Sequence, residues 1–253
     1  MSISGARPPL HTLVYGDPGS RKSTFAATFP KPMNVFFFDP IGKETPYLRQ
    51  GNPTEIYVND QYGIYSRDVL NDAGELLIRI EYFGDVNIKK PTGYKAFLMR
   101  MQDFYNELDQ WATAVVDSVT FMEFSARKYE QYVLNPKAKD QRQWWGGSTN
   151  TVEEFLQGSF GAMPINVIVT THVTADKDEF NGRMVYRPNA PGRLKSEQGL
   201  PAGYSEVYHA YVGRDETGKK IWLLQTELDE MFLAGSQIQA PDPSWPDYEA
   251  LWK

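Results

Sequence analysis

The stretch HTLVYGDPGSRKSTFAATF, His11 to Phe29, constrains this chain more than any other. A short apolar run, Leu13-Val14-Tyr15, breaks at Gly16, passes through Asp17-Pro18-Gly19-Ser20-Arg21, and gives way to helix formers after Lys22-Ser23-Thr24. That succession reads as strand, tight loop and helix. It is the context in which the pattern G-x-x-x-x-G-K-[ST] works: backbone N–H groups cradle phosphates, the lysine reaches the outer ones, and the next hydroxyl binds magnesium. Gly16, Lys22 and Ser23 stand where the pattern requires them, and Arg21 takes the place of its second glycine. A side chain held in left-handed backbone there costs about 1–2 kcal/mol. Gly19 supplies flexibility two residues earlier, and the arginine adds a cation near the phosphates. The expected nucleotide-binding residues are Gly16, Asp17, Pro18, Gly19, Ser20, Arg21, Lys22, Ser23 and Thr24. The competing reading is a strand-to-helix turn that happens to carry Lys-Ser.

Composition narrows the rest. With 253 residues, 41% hydrophobic and 23% charged, the chain can bury a substantial core and reads as one folded domain over about residues 1–240, followed by a tail, 241–253, on the surface. The absence of cysteine excludes disulfides and thiolate catalysis, and His11, His172 and His209 are too scattered for a zinc cluster. A net charge of −6 argues against coating nucleic acid by bulk electrostatics, so any such contact must come from local basic loops. No apolar run approaches the length of a membrane span and no signal segment opens the chain, so a cytoplasmic protein without membrane contact is expected.

Further along, apolar strands end in polar residues. Met33 to Phe38 reads as a strand buried on both faces, ending at Asp39, which either faces a ligand or caps a turn with Pro40. Thr54 to Tyr82 alternates around Asn71-Asp72-Ala73-Gly74 and reads as a β-hairpin inserted at about 54–90. Tyr94 to Leu108 has helical spacing. Ala112 to Val116 is a small buried strand ending at Asp117, followed by a helix from Val119 to about Leu134. An aspartate so placed downstream of a phosphate loop holds magnesium, so Ser23 and Asp117 are the expected metal residues.

Asn135 to Asn150 reads as a glycine-containing loop, with Lys137, Lys139 and Arg142 beside Trp144 and Trp145. Cations interleaved with aromatics suit single-stranded nucleic acid; packing is the alternative use of the tryptophans. A helix from Thr151 to about Met163 precedes the strand Asn166 to Thr171, whose end bears His172, either a sensor of the outer phosphate or a boundary residue. Val173 to Gly203 reads as a long loop carrying Arg183, Arg187, Arg193 and Lys195, and two strands follow, Glu206 to Val212 and Lys220 to Gln225.

With these residues in place, the chain resembles the RecA-like phage ATPases, particularly the short RecA-core single-strand annealing and recombination proteins and the AAA-type ATP-binding proteins of phage genomes. The resemblance is carried by Gly16 to Thr24, Phe36 to Pro40, Val115 to Ser118, Val167 to His172 and Pro201 to Arg214, and spans about His11 to Gln225. It implies an α/β RecA-like P-loop NTPase core with a mostly parallel central sheet flanked by helices. It also implies ATP and Mg2+ as cofactors, a homo-oligomer with nucleotide near subunit interfaces, and single-stranded DNA facing the two basic loops. A phage single-strand-binding or replication protein is a further expected partner. The catalytic set would be Lys22, Asp117, Asp39 and His172.

Several positions depart from that family. Ile41 stands where the family has its water-activating glutamate, leaving Asp39, Glu44 or another group as base. Ala234-Gly235-Ser236-Gln237 offers no cation. The sequence therefore supports a weak ATPase of DNA recombination or replication or, alternatively, a non-hydrolysing nucleotide-binding scaffold that works through protein partners. A small-molecule kinase is the weakest reading, since no arginine-rich lid is present.

Overall fold

Apolar residues that follow one another without alternation are buried along a strand only if both faces of its sheet are covered. The computed structural model, which describes residues 7–177, 182–190 and 199–253, shows this arrangement. The strands are β1 (His11–Gly16), β2 (Met33–Phe37), β3 (Asn52–Pro53), β4 (Tyr57–Asn59), β5 (Ile64–Leu70), β6 (Leu76–Tyr82), β7 (Thr113–Asp117), β8 (Asn166–Lys177), β9 (Met184–Pro188), β10 (Glu206–Arg214), β11 (Lys220–Gln225) and β12 (Gly235–Ser236). The α-helices are α1 (Lys22–Ala26), α2 (Thr45–Leu48), α3 (Gly93–Phe104), α4 (Val119–Tyr129) and α5 (Gln141–Glu153). The sheet runs β11-β10-β1-β8-β7-β2-β6-β5-β3. Every pairing from β10 to β6 is parallel, and β11 and β5 add antiparallel borders. This is the mostly parallel α/β sheet that the sequence implies.

Alternate residues of the central strands feed two cores. Leu13, Tyr15, Phe36, Val116 and Val169 pack beneath α3, α4 and α5 with Phe97, Met122 and Val152. Val14, Val35, Phe37, Val115 and Ile168 pack on the other face with Phe25 of α1 and Tyr47 of α2. Among the described residues, no helix is long and apolar enough to cross a membrane.

The structure departs from the sequence reading in four places. The hairpin forms, as β5 and β6, but its second strand pairs parallel with β2 and so belongs to the main sheet. The expected basic loop is largely helix: α5 begins at Gln141, with the Asp140 carboxylate accepting the Arg142 backbone N–H at 2.9 Å as its N-cap. The long loop after His172 opens as an antiparallel arm of β8 and β9, in which Val173 faces Pro188 and Lys177 faces Met184. The tail is not a surface appendage, because Tyr248 and Leu251 are buried in the second core and Tyr248 packs on Phe29 with ring centroids 4.8 Å apart.

Candidate active site

Four strands adjacent in the sheet, β1, β8, β7 and β2, deliver the residues of interest at their C-terminal ends, where open parallel sheets bind ligands. β1 ends at Gly16, whose φ is +156°; a Cβ there would lie 2.2 Å from the Ala210 carbonyl oxygen of β10, so only glycine fits. Asp17, Pro18 and Gly19 form an exposed tip, and Ser20 returns to the interior. Its Oγ is buried without a hydrogen-bond partner.

Arg21 occupies left-handed backbone, with φ 67° and ψ 28°. Its guanidinium carbon stacks 3.4 Å from the ring centroid of Trp222 on β11. The same indole donates from Nε1 to the Gly19 carbonyl at 3.1 Å. A cation–π contact at an exposed site is worth about 0.5–1 kcal/mol, of the same order as the cost of the left-handed residue. The arginine side chain is thus committed to the edge strand.

Lys22 is buried at the start of α1, and its Nζ donates to the Gly16 and Asp17 carbonyls at 2.8 and 2.9 Å. Burial pushes its pKa down to about 8, against the pull of Asp117, Asp39 and Asp17. Ser23 follows, near enough to Asp117 for its hydroxyl to favour the charged carboxylate, and Thr24 is half-buried in the first turn.

Asp117 ends β7. Its Oδ2 accepts from Tyr47 Oη at 2.8 Å and its Oδ1 from Thr170 Oγ1 at 2.5 Å. Burial, and then the neighbouring Asp39, push this carboxyl above the usual range, while the hydroxyls of Thr170, Ser23 and Tyr47 oppose the shift. Asp39, just past β2, accepts from Ser118 Oγ at 2.6 Å and lies 3.7 Å from Lys43 Nζ. Glu44, the other carboxylate considered as a base, is buried against its own loop, where it accepts the Gly42 N–H at 2.5 Å and meets Tyr82. His172 sits where β8 leaves β1, and its Nδ1 is 3.1 Å from Thr120 Oγ1. Burial, followed by Lys22 and Lys43, holds the imidazole below its ordinary pKa.

Lys22, Ser23, Asp117, Asp39 and His172 are therefore brought together. The residues expected to meet nucleic acid are not gathered in the same way. Lys137 and Lys139 are exposed ahead of α5, Arg142 pairs with Asp140, and Trp144 donates to the Asn135 carbonyl at 3.1 Å. Arg183 pairs with Glu230, and Arg187 lies on β9 opposite Thr174. Arg193 and Lys195 lie outside the described residues. Sequence reasoning missed Tyr47, Thr170, Ser118, Thr120 and Lys43. Ser118 and Thr170 stood within stretches that carry the resemblance and Lys43 beside the end of β2, whereas Tyr47 and Thr120 carried no signal.

A glycine-opened loop closed over a buried lysine, with a strand-end carboxylate beside the residue that follows it, defines a P-loop domain. The chain belongs to the AAA domain family AAA_24, whose model matches residues 9–235. No curated protein matches it. Among solved structures it is similar to a KaiC-like protein from the archaeon Pyrococcus horikoshii, at 13% identity over 90% of this chain and 83% of that one, with a TM-score of 0.42. It is similar also to the flagellar accessory protein FlaH from Methanocaldococcus jannaschii, at 10% identity over 87% and 79%, with a TM-score of 0.40. A third similarity, to an ATPase from the type III secretion system of pathogenic bacteria, has 14% identity over 81% and 52%, with a TM-score of 0.46.

Proposed function

We propose that the protein binds ATP with magnesium and hydrolyses it slowly, as a phage-type RecA-like ATPase acting on single-stranded DNA in recombination or replication. The convergence of Lys22, Ser23 and Asp117 at the C-terminal end of the parallel sheet carries this reading. The groups present fit the ligand. The loop offers a buried lysine and an unpartnered Ser20 hydroxyl to phosphate, and Ser23 with Asp117 offers the hard oxygen atoms that magnesium prefers. Magnesium, when bound, shields phosphate charge.

The chain's own residues do the rest. Lys22 leaves the Gly16 and Asp17 carbonyls for the outer phosphates and recovers its full charge there. Tyr47 and Thr170 fix the Asp117 carboxylate toward Ser23. Asp39, oriented by the Ser118 hydroxyl, accepts the proton of the attacking water. His172, neutral at pH 7, hydrogen-bonds with Thr120 and passes phosphate occupancy to the arm that begins beside it, where the Asn189 N–H donates to the His172 carbonyl at 2.7 Å. Lys137, Lys139 and Trp144 supply cations and a ring for DNA, and the active form is a homo-oligomer that meets a single-strand-binding or replication protein.

Magnesium-dependent phosphate release, measured with and without single-stranded DNA, tests this. Slow turnover that DNA accelerates is expected, with both turnover and ATP binding lost in Lys22→Ala. Unchanged ATP affinity in that variant overturns the site. Tight ATP binding with no turnover under either condition replaces this reading with the scaffold.

A further inference from the structure

We infer that Trp222 is a positioning residue for the phosphate loop, holding Arg21 in the backbone conformation that glycine adopts unaided and thereby setting the affinity for ATP. The inference rests on the nucleotide site proposed above. A phosphate-binding loop turns its N–H groups toward the anion only if the residue before the lysine is left-handed, and Arg21 is so at φ 67°. Unlike glycine, arginine does not favour that region, so something outside the loop must hold it there.

The β10–β11 hairpin does this at three points. The Ala210 carbonyl of β10 lies close against Gly16. Trp222 Nε1 ties the Gly19 carbonyl at 3.1 Å, and the indole face receives the Arg21 guanidinium at 3.4 Å. Two of these three contacts come from one side chain on the edge strand, beyond the reach of the motif. The arginine that replaces glycine and the tryptophan that holds it thus form one device. Arg21 is directed by this contact to β11 and leaves Lys22 as the loop's cation for phosphate.

The test is a double-mutant cycle with two readouts, ATP binding and hydrogen exchange of the amides of residues 17–23 in nucleotide-free protein. Trp222→Ala is expected to weaken ATP binding about tenfold, the order set by the left-handed penalty, and to speed exchange in the loop while β1 stays protected. Trp222→Phe, which keeps a stacking face and loses the indole donor, falls between. In an Arg21→Gly background, Trp222→Ala should cost clearly less ATP affinity than in the parent, because glycine needs no support at that position and only the tie to the Gly19 carbonyl is lost. Equal losses in the parental and Arg21→Gly backgrounds, or unchanged loop exchange in Trp222→Ala, overturn the inference. If the unmutated protein fails to bind ATP at all, the nucleotide reading falls, and the exchange measurement still decides whether Trp222 holds the loop.

Discussion

Lys22 and Asp117 are opposite charges buried near one another, and burial penalises both. For Lys22 the consequence is a pKa lowered to about 8 in the nucleotide-free protein. Phosphate binds the ammonium form, so above that pH ATP binding must be accompanied by uptake of a proton, and apparent affinity should fall by about tenfold per pH unit. Calorimetry between pH 7 and pH 9.5, in buffers of different ionisation enthalpy, checks this; a flat affinity with no proton uptake contradicts it. Asp117 gives the mirror case in stability. Its folded pKa is raised, so between its unfolded and folded values the native state holds more protons than the unfolded one, and stability falls as pH rises through that window. Asp117→Asn removes the charge. Thermal unfolding of the nucleotide-free variant at pH 7 should show a higher Tm than the parent, with the difference closing as pH falls, while the stabilisation that magnesium and ATP give the parent is lost. A variant less stable than the parent at pH 7 would mean that the hydroxyls of Tyr47 and Thr170 outweigh the cost of burying the charge.

Helix α5 shows why some features were legible in the sequence and others were not. The phosphate loop announces itself because its chemistry is local, with a glycine, a lysine and a hydroxyl at fixed spacing beside an apolar run. The ends of β2 and β7 could be read because a parallel strand shows as an unbroken apolar run. Gly146 and Gly147, read as loop formers, lie inside α5 for different reasons. Gly146 faces open space, whereas a Cβ on Gly147 would lie 2.6 Å from the carboxyl group of Glu130, which accepts from Asn135 Nδ2 at 2.9 Å. Gly146→Ala should therefore stabilise the protein by about 1 kcal/mol, the helix-propensity difference. Gly147→Ala should be close to neutral, because displacing Glu130 from Asn135 costs a hydrogen bond of similar size. Urea denaturation of the two variants distinguishes them, and equal gains would show that Glu130 moves freely. The β8–β9 arm escaped notice because Val173 to Lys177 lacks a buried face to impose a period. Tyr47 and Thr170 escaped because only the tertiary fold brings them to Asp117.

The chain as a whole carries a net charge of −6, and a parallel sheet gathers its reactive groups at one end. If the protein works on single-stranded DNA as proposed, these two facts limit how it does so. A long-range field of that sign repels a polyanion, so binding must depend on few, short-range contacts that salt weakens only modestly. Arg142 and Arg183 are already paired with Asp140 and Glu230, so of the cations proposed to meet DNA the exposed Lys137 and Lys139 are the ones the proposal assigns to phosphate. Each phosphate neutralised on a single strand contributes about 0.7 to the slope of log affinity against log salt. Replacing both lysines with alanine should therefore flatten that slope by about 1.4 and weaken binding at low salt more than at high salt. Replacing Trp144 should lower affinity without changing the slope, since stacking releases no counterions. A double-lysine variant with the parental slope would mean that the segment ahead of α5 does not touch DNA, and would leave the β8–β9 arm to account for any binding that remains.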